Sequence, residues 1–293
     1  ERLVRDYLGP GEPVVVTGVP GVPDWDFSGV LRRPGVAGAV MDLQTWDSSS
    51  HTWAGMVDAG QETLGVFLNA LRGAGSGGDL QVFDQSLQMH AGLRPLFDEL
   101  PPDFLHALFP RNLLLDTPPR LGFAAAWPSL FVSPRAARGS GTHVDFGRTH
   151  FWMAVLAGRK RWRVVHRADA AALYPAVALT GGEPVFGVEI ADLVPQRGAA
   201  RGARLGRLLE RFPAAGAVTV MEASVGPGEV IVVPQGSPHQ VSNEENTMAL
   251  AGNVVDETNL KAATARLGWD ALVMGEAFEL NRELKRIKEK YRL

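Results

Sequence analysis

The sequence predicts a mainly β fold with flanking helices, and three observations carry that prediction. Between Ala124 and Val255 the chain breaks into short apolar runs separated by Gly and Pro, the texture of an antiparallel sandwich or barrel. From Leu260 the pattern becomes helical, with Leu280, Leu284, Ile287 and Tyr291 spaced i, i+4, i+7 and i+11 along one apolar stripe. Ahead of residue 124, short strands and helices alternate. With 293 residues, 45% of them hydrophobic and 21% charged, the chain is long enough to bury a sizeable core.

Taken in order, Leu3, Val4, Tyr7 and Leu8 mark a helical start, and Pro13–Thr17 reads as a strand closed by the turn-rich Gly18–Pro23. Residues 53–71 read as a helix with Met56, Val57, Leu64, Phe67, Leu68 and Leu71 near one face, ended by the Gly-rich Gly73–Gly78. Leu80–Phe83 is strand-like, and Pro101-Pro102 divides Leu93–Phe109 into two short helices. Strands follow at Leu130–Ser133, Thr142–Phe146, Phe151–Leu156, Arg161–His166, Val218–Ala223, Glu229–Val233 and Met248–Val255. Within the Ala/Gly/Arg-rich segment Gln196–Arg211, Arg197, Arg201, Arg204, Arg207 and Arg211 form a basic stripe opposite Leu205, Leu208, Leu209 and Phe212. A solvated helix face is the plainer reading of that stripe, and a docking surface for RNA phosphates or an acidic peptide is the other.

Composition narrows the chemistry. A net charge of −3 provides no global field toward nucleic acid or an anionic membrane, and no apolar run is long enough to span a bilayer. The absence of cysteine excludes disulfides, thiolate nucleophiles, iron–sulfur clusters and every Cys-containing zinc site. His and carboxylate are left for any metal.

One stretch supplies them. In Gly139-Ser140-Gly141-Thr142-His143-Val144-Asp145, His143 and Asp145 are two apart, so on a β-strand both point to one side. A second imidazole, His239, follows the apolar strand Val230–Val233 and a Pro/Gly turn. Two His and one carboxylate on a metal leave its other positions open, as non-haem Fe(II) oxygenases require. Alone, His-X-Asp is a weak signal, because a single His is more often a structural residue than a ligand. His90, His150 and His166 are read as structural, His150 lying nearest the motif.

The surrounding motifs strengthen it. The Pro-Val-Val-Val-Thr-Gly entry strand, Phe83-Asp84, the metal motif, Gly158-Arg159-Lys160-Arg161-Trp162, the Pro227-Gly228-Glu229 turn and His239-Gln240-Val241-Ser242-Asn243 occur in that order. With them the chain resembles the JmjC (jumonji C) family of cupin-like, 2-oxoglutarate-dependent Fe(II) oxygenases, closest to its small hydroxylase-type members. The resemblance implies a double-stranded β-helix (jelly-roll) core over 124–255, an N-terminal α/β elaboration over 1–123 and C-terminal helices over 256–293, all in one domain. It also implies hydroxylation or N-demethylation of a protein side chain or another macromolecule, with Fe(II), 2-oxoglutarate and O2 consumed to succinate and CO2. An intracellular location, cytoplasmic or nuclear, and a homodimer through the C-terminal helices are further expectations of the resemblance.

Residue by residue, the family pattern puts the metal on His143, Asp145 and His239, and the co-substrate's distal carboxylate on Lys160. The bland alternative for Lys160 is a solvated basic turn, although period-two alternation turns Arg159 and Arg161 away from its side. Ser140 or Thr142 supplies the hydroxyl that the family uses beside that carboxylate, and Asn253 resembles a polar residue placed near the co-substrate, or else caps a strand end. Met153 and Ala251 depart from the Asn and Thr that hydroxylase-type relatives often carry, which implies weaker 2-oxoglutarate binding, with Thr149 compensating. Two rivals stand beside this reading: a cupin metalloenzyme that does not use 2-oxoglutarate, and a non-catalytic binding module on the same scaffold.

Overall fold

The computed structural model describes residues 2–50, 52–73, 78–101, 104–135, 137–176, 182–194 and 199–293. Its strands are β1 (Val14–Val16), β2 (Val40–Trp46), β3 (Met56–Thr63), β4 (Gln81–Ser86), β5 (Ser129–Ser133), β6 (His150–Ala157), β7 (Lys160–Val165), β8 (Pro175–Ala176), β9 (Val185–Phe186), β10 (Val220–Val225), β11 (Val230–Val233), β12 (His239–Asn243) and β13 (Thr247–Val254). An eight-stranded sheet runs β1-β11-β6-β13-β5-β4-β2-β3, and a three-stranded sheet runs β10-β7-β12. Every pairing in both is antiparallel.

The two sheets face each other across one apolar layer. Phe131, Phe151, Met153, Val155, Ile231 and Val233 come from the larger sheet, and Trp162, Val164, Val225 and Val241 from the smaller. On β6 the alternate residues Trp152, Ala154 and Leu156 point the other way, into a second layer with Leu64, Leu68 and Leu96 of the N-terminal region. Both faces of β6 are therefore buried, which is why it reads as a continuous apolar run and not as an alternating one. This is the jelly-roll architecture the sequence predicts.

The structure corrects several boundaries. Residues 53–71 are not one helix: Met56–Thr63 pairs with Val40–Trp46 as a strand, and the helix is Leu64–Arg72, started by Thr63, whose hydroxyl accepts from Val66 N–H. Only the later half of the stripe, Leu64, Phe67, Leu68 and Leu71, belongs to that helix. Strands β1 to β4 join the larger sheet, so residues 1–123 build the core's main sheet as well as decorating it. Thr142–Phe146 is not a regular strand, since His143 makes an isolated antiparallel bridge with His239 and Phe146–Arg148 is a 3-10 turn.

The two short helices around Pro101-Pro102 are Arg94–Asp98 and Phe104–Leu108. Part of the Gly73–Gly78 loop and Arg197 lie outside the described residues. Arg204 pairs with Asp192 at 2.8 Å, while Arg207 and Arg211 are exposed. The C-terminal stripe turns inward: Leu280, Leu284 and Ile287 pack with Leu113, Leu260 and Leu267 of the same chain. What the terminal helices leave in solvent is a different set, Trp269, Leu272, Val273 and Phe278. No helix among the described residues is long and apolar enough to cross a membrane.

Candidate metal centre

His143, Asp145 and His239 converge between the two sheets, each at most 5% exposed. One ligand atom from each lies within 4.8 Å of the others, and among the described residues no other His/Cys/Asp/Glu group is compact enough to hold a metal ion. The backbone explains the convergence: His143 and His239 face each other across the bridge and exchange both hydrogen bonds, His143 N to His239 O at 3.0 Å and the reverse at 2.8 Å. Their rings are 4.2 Å apart.

Local sequence sets the approach. Gly139 sits at φ 76°, where a side chain would also collide with Val241 O, and a Cβ on Gly141 would lie 2.8 Å from Trp46 Nε1. Gly139 lets this loop lie directly against β12, which brings His143 opposite His239, and Gly141 lets it pass against Trp46 and Ala54.

The imidazoles are held as donors to the backbone. His143 Nδ1 is 2.8 Å from Gly141 O, and His239 Nδ1 is 3.1 Å from Ser237 O. A carbonyl only accepts, so each Nδ1 carries the proton and each Nε2 keeps its lone pair for the centre. His239 Nε2 is 3.7 Å from Asp145 Oδ2. Trp53 and Trp162 flank the rings, with centroids 5.0 Å from His143 and 5.6 Å from His239.

Electrostatics fit a site built around a cation. Burial, assisted by His239, pushes His143 down to about 3, and burial pushes His239 down to about 4, so both rings are neutral. Burial raises Asp145 to about 7, although a hydrogen bond from Asn253 acts the other way. Neutral imidazoles and a carboxylate that lacks a positive partner are the donor set of a divalent metal.

Lys160 lies in the same pocket, a cavity of ≈ 430 Å³ also lined by Gln81, Ser133, Ser140 and Met153. It is 3% exposed, and Nζ donates to Asn243 Oδ1 at 2.8 Å, a neutral partner. Burial alone lowers it to about 7. Ser140 Oγ is buried with no hydrogen-bond partner among the described residues. A buried ammonium with no ion pair among the described residues and an unpaired hydroxyl fit an anionic, oxygen-rich ligand.

The other hydroxyl and amide candidates lie elsewhere. Thr142 Oγ1 accepts from Ile190 N–H at 2.9 Å and faces Glu189, so it ties down the 189–193 segment and does not line the pocket. Thr149 Oγ1 donates to Phe146 O at 2.7 Å and accepts from Asn253 Nδ2 at 2.6 Å. Asn253 in turn holds Asp145's carboxyl down, so this pair braces the carboxylate and does not reach the Lys160 end. Ala251 is buried in the inter-sheet layer, and Met153 does line the pocket. His150 bridges Gln235 N–H and Thr258 Oγ1, and His90 and His166 cap local turns, so none joins the centre.

Sequence reasoning placed Asn243 in the His239–Asn243 motif but gave it no role, and it missed Gln81. Asn243 is four residues after His239 on one strand, hence on the same face, and that spacing was a usable signal. Gln81, bonded to Ser133 Oγ and Gly139 O at 2.9 Å each, had none.

The family model described as a cupin-like domain matches residues 59–254, which include His143, Asp145, Lys160 and His239. The bifunctional arginine demethylase and lysyl-hydroxylase psr-1 of Caenorhabditis elegans is 29% identical over 161 residues, 54% of this chain and 36% of that protein. The arginine-specific demethylase JMJ20 of Arabidopsis thaliana is 28% identical over 130 residues, 44% of this chain and 23% of that protein. The alignments thus span well under half of either relative. With the jelly roll and its buried His-Asp-His cluster, the match over most of its length shows that the chain belongs to the cupin-like domain family, the JmjC-type cupins its motifs resemble.

Proposed function

We propose that this chain is an Fe(II)- and 2-oxoglutarate-dependent oxygenase that hydroxylates, or N-demethylates, a protein side chain, with succinate and CO2 as co-products. The observation that carries the reading is Lys160: a buried ammonium whose hydrogen-bond partner is neutral, in the pocket that also holds His143, Asp145 and His239. A metal cupin without a dicarboxylate ligand has no use for a charge so costly to bury.

In this reading His143 Nε2, His239 Nε2 and a carboxylate oxygen of Asp145 hold the iron. When bound, the iron supplies dioxygen activation and the oxidation of a C–H bond. Lys160 pairs with the far carboxylate of 2-oxoglutarate, and Ser140 Oγ donates to an oxygen of the same ligand. Asn243 fixes the ammonium's position by accepting one of its protons. Asn253 and Thr149 orient Asp145, while Trp53, Phe151 and Trp162 close the walls against water. The protein-substrate part of the proposal is supported by the two relatives, whose names describe action on arginine and lysine.

Heat denaturation of Mn(II)-loaded protein tests this directly. Added 2-oxoglutarate raises the Tm of the native chain and leaves that of Lys160→Met unchanged. No shift in the native chain would leave the site to a cupin chemistry that does not use this co-substrate.

A further inference from the structure

One segment of the chain, residues 183–191, reaches both stretches that carry the candidate metal ligands without supplying a ligand itself. At one end Glu183 Oε1 accepts from Gly147 N–H at 2.7 Å, two residues past Asp145. At the other, Glu189 Oε2 accepts from Thr142 N–H at 3.1 Å, next to His143, and from Gln240 Nε2 at 2.6 Å, next to His239. The adjoining backbone doubles both holds: Ile190 N–H donates to Thr142 Oγ1 at 2.9 Å, and Ala191 N–H to Gln240 Oε1 at 2.7 Å. Given a metal on His143, Asp145 and His239, as the oxygenase reading requires, we propose that this segment positions the centre. Glu189 fixes the His143 and His239 stretches against each other, and Glu183 fixes the turn that follows Asp145.

The ligand loop needs support from outside. Residues 142–146 form no regular strand, so the ladder that would ordinarily hold His143 and Asp145 is reduced to the single bridge with His239. Past Asp145 the chain turns through Gly147 at φ 59° and Arg148 at φ 56°; the second is a conformation that a non-glycine residue keeps only when its surroundings impose it. Val144, whose side chain alternates with those of His143 and Asp145, packs away from the centre in a buried cluster with Phe186, Val188 and Ile190. The segment therefore covers the back of the loop with apolar contacts and clamps its two ends with carboxylates.

Both carboxylates are themselves anchored. Arg138 lies 3.7 Å from Glu189 Oε2 while its guanidinium stacks over the Trp46 ring. Arg266 lies 3.7 Å from Glu183 Oε1 and is shared with Asp270 at 3.0 Å and with the Gly182 carbonyl. Neither Glu189 nor Gln240 lines the pocket around the metal cluster, so both act through the residues beside the ligands. One oxygen that accepts from two separate stretches sets the distance between them. Donor atoms must be held to within about 0.5 Å for tight metal binding, and removing an outer hydrogen bond of this kind typically costs about 10–100-fold in affinity.

The test is anaerobic titration of the full chain with Co(II), whose visible d–d bands report both affinity and ligand geometry. Glu189→Ala should weaken Co(II) binding by about 10–100-fold and alter the band pattern. Glu189→Gln keeps an acceptor oxygen for Thr142 N–H and Gln240 Nε2, and should stay within about threefold of the native chain. Glu183→Ala and Glu183→Gln repeat the comparison at the other end of the segment, so a single alanine variant that fails to fold does not decide the matter. Leu284→Ala, in the separate cluster with Leu113, Leu260 and Leu267, should lower the Tm and keep the native affinity, which separates lost stability from lost positioning. Native affinity and spectrum in both alanine variants, glutamine variants as weak as the alanine ones, or an equal loss in Leu284→Ala would each overturn the proposal. A native chain that takes up no Co(II) would remove the centre and the proposal with it. Adding 2-oxoglutarate to the same samples reads the oxygenase proposal separately. A native spectrum that ignores it counts against that reading, while the loss of affinity in Glu189→Ala still supports the role of the segment.

Discussion

Lys160 concentrates the physical argument in one side chain. Burial lowers its pKa from 10.5 to about 7, so the folded protein gives up a proton that the unfolded chain keeps across that interval. The unfolded state therefore binds more protons between those values, and this residue makes stability rise with pH there; below about 7 the full cost of the buried charge is present. Denaturant melts of Lys160→Met should show that contribution to the slope removed and the fold more stable at neutral and acid pH. The same variant should lose 2-oxoglutarate affinity by about 100-fold or more, since breaking a buried pair typically costs about 3–5 kcal/mol. Greater stability with lost ligand affinity separates a ligand-binding lysine from a structural one. In the native chain, 2-oxoglutarate affinity should fall above pH 7, by up to about tenfold per unit, because binding must then restore the proton. His143→Ala removes a neutral donor, and metal retained after gel filtration should drop from near stoichiometric to trace.

Among the elements, the loop from Gly139 to Asp145 decides whether a site exists. At φ 76° and pressed against Val241 O, Gly139 leaves no room for a Cβ. Gly139→Ala should destabilise the fold by about 1–3 kcal/mol in urea melts and weaken metal retention with it, because His143 would lose its bridge to His239. This loop was legible in the sequence for a local reason: the side-chain period of two carries His143 and Asp145 to one side even where the strand shrinks to a single bridge. The segment from Trp53 to Leu71 was misread for the opposite reason. Its later half has a true helical stripe, but Met56 and Val57 are held in β3 by Trp46 and Thr45, partners whose pairing no local pattern displays. Thr63, a cap residue at the junction, was the available warning. Thr142 shows the limit on the site itself, for its hydroxyl is taken by Glu189 and Ile190 from a distant segment.

For the whole molecule, the order of motifs along the chain foretold the jelly roll, but the role of the first 123 residues emerges only from long-range pairing. Those residues contribute β1 to β4, and Trp53 and Asp84, which line the cavity beside Asp145, come from that region too. That cavity draws on seven separate stretches of chain, so its acidic, aromatic character is invisible to any motif. The C-terminal stripe likewise packs on its own chain. Leu284→Ala, at a fully buried position, should cost about 2–5 kcal/mol of stability while leaving the sedimentation coefficient unchanged. The central claim, that one pocket holds both iron and 2-oxoglutarate, is tested most directly by absorption spectroscopy under strict exclusion of oxygen. Adding 2-oxoglutarate to the Fe(II)-loaded chain should produce a visible metal-to-ligand charge-transfer band, absent in His143→Ala and requiring far more co-substrate in Lys160→Met. A native chain that binds Fe(II) yet shows no such band at saturating 2-oxoglutarate would contradict the account.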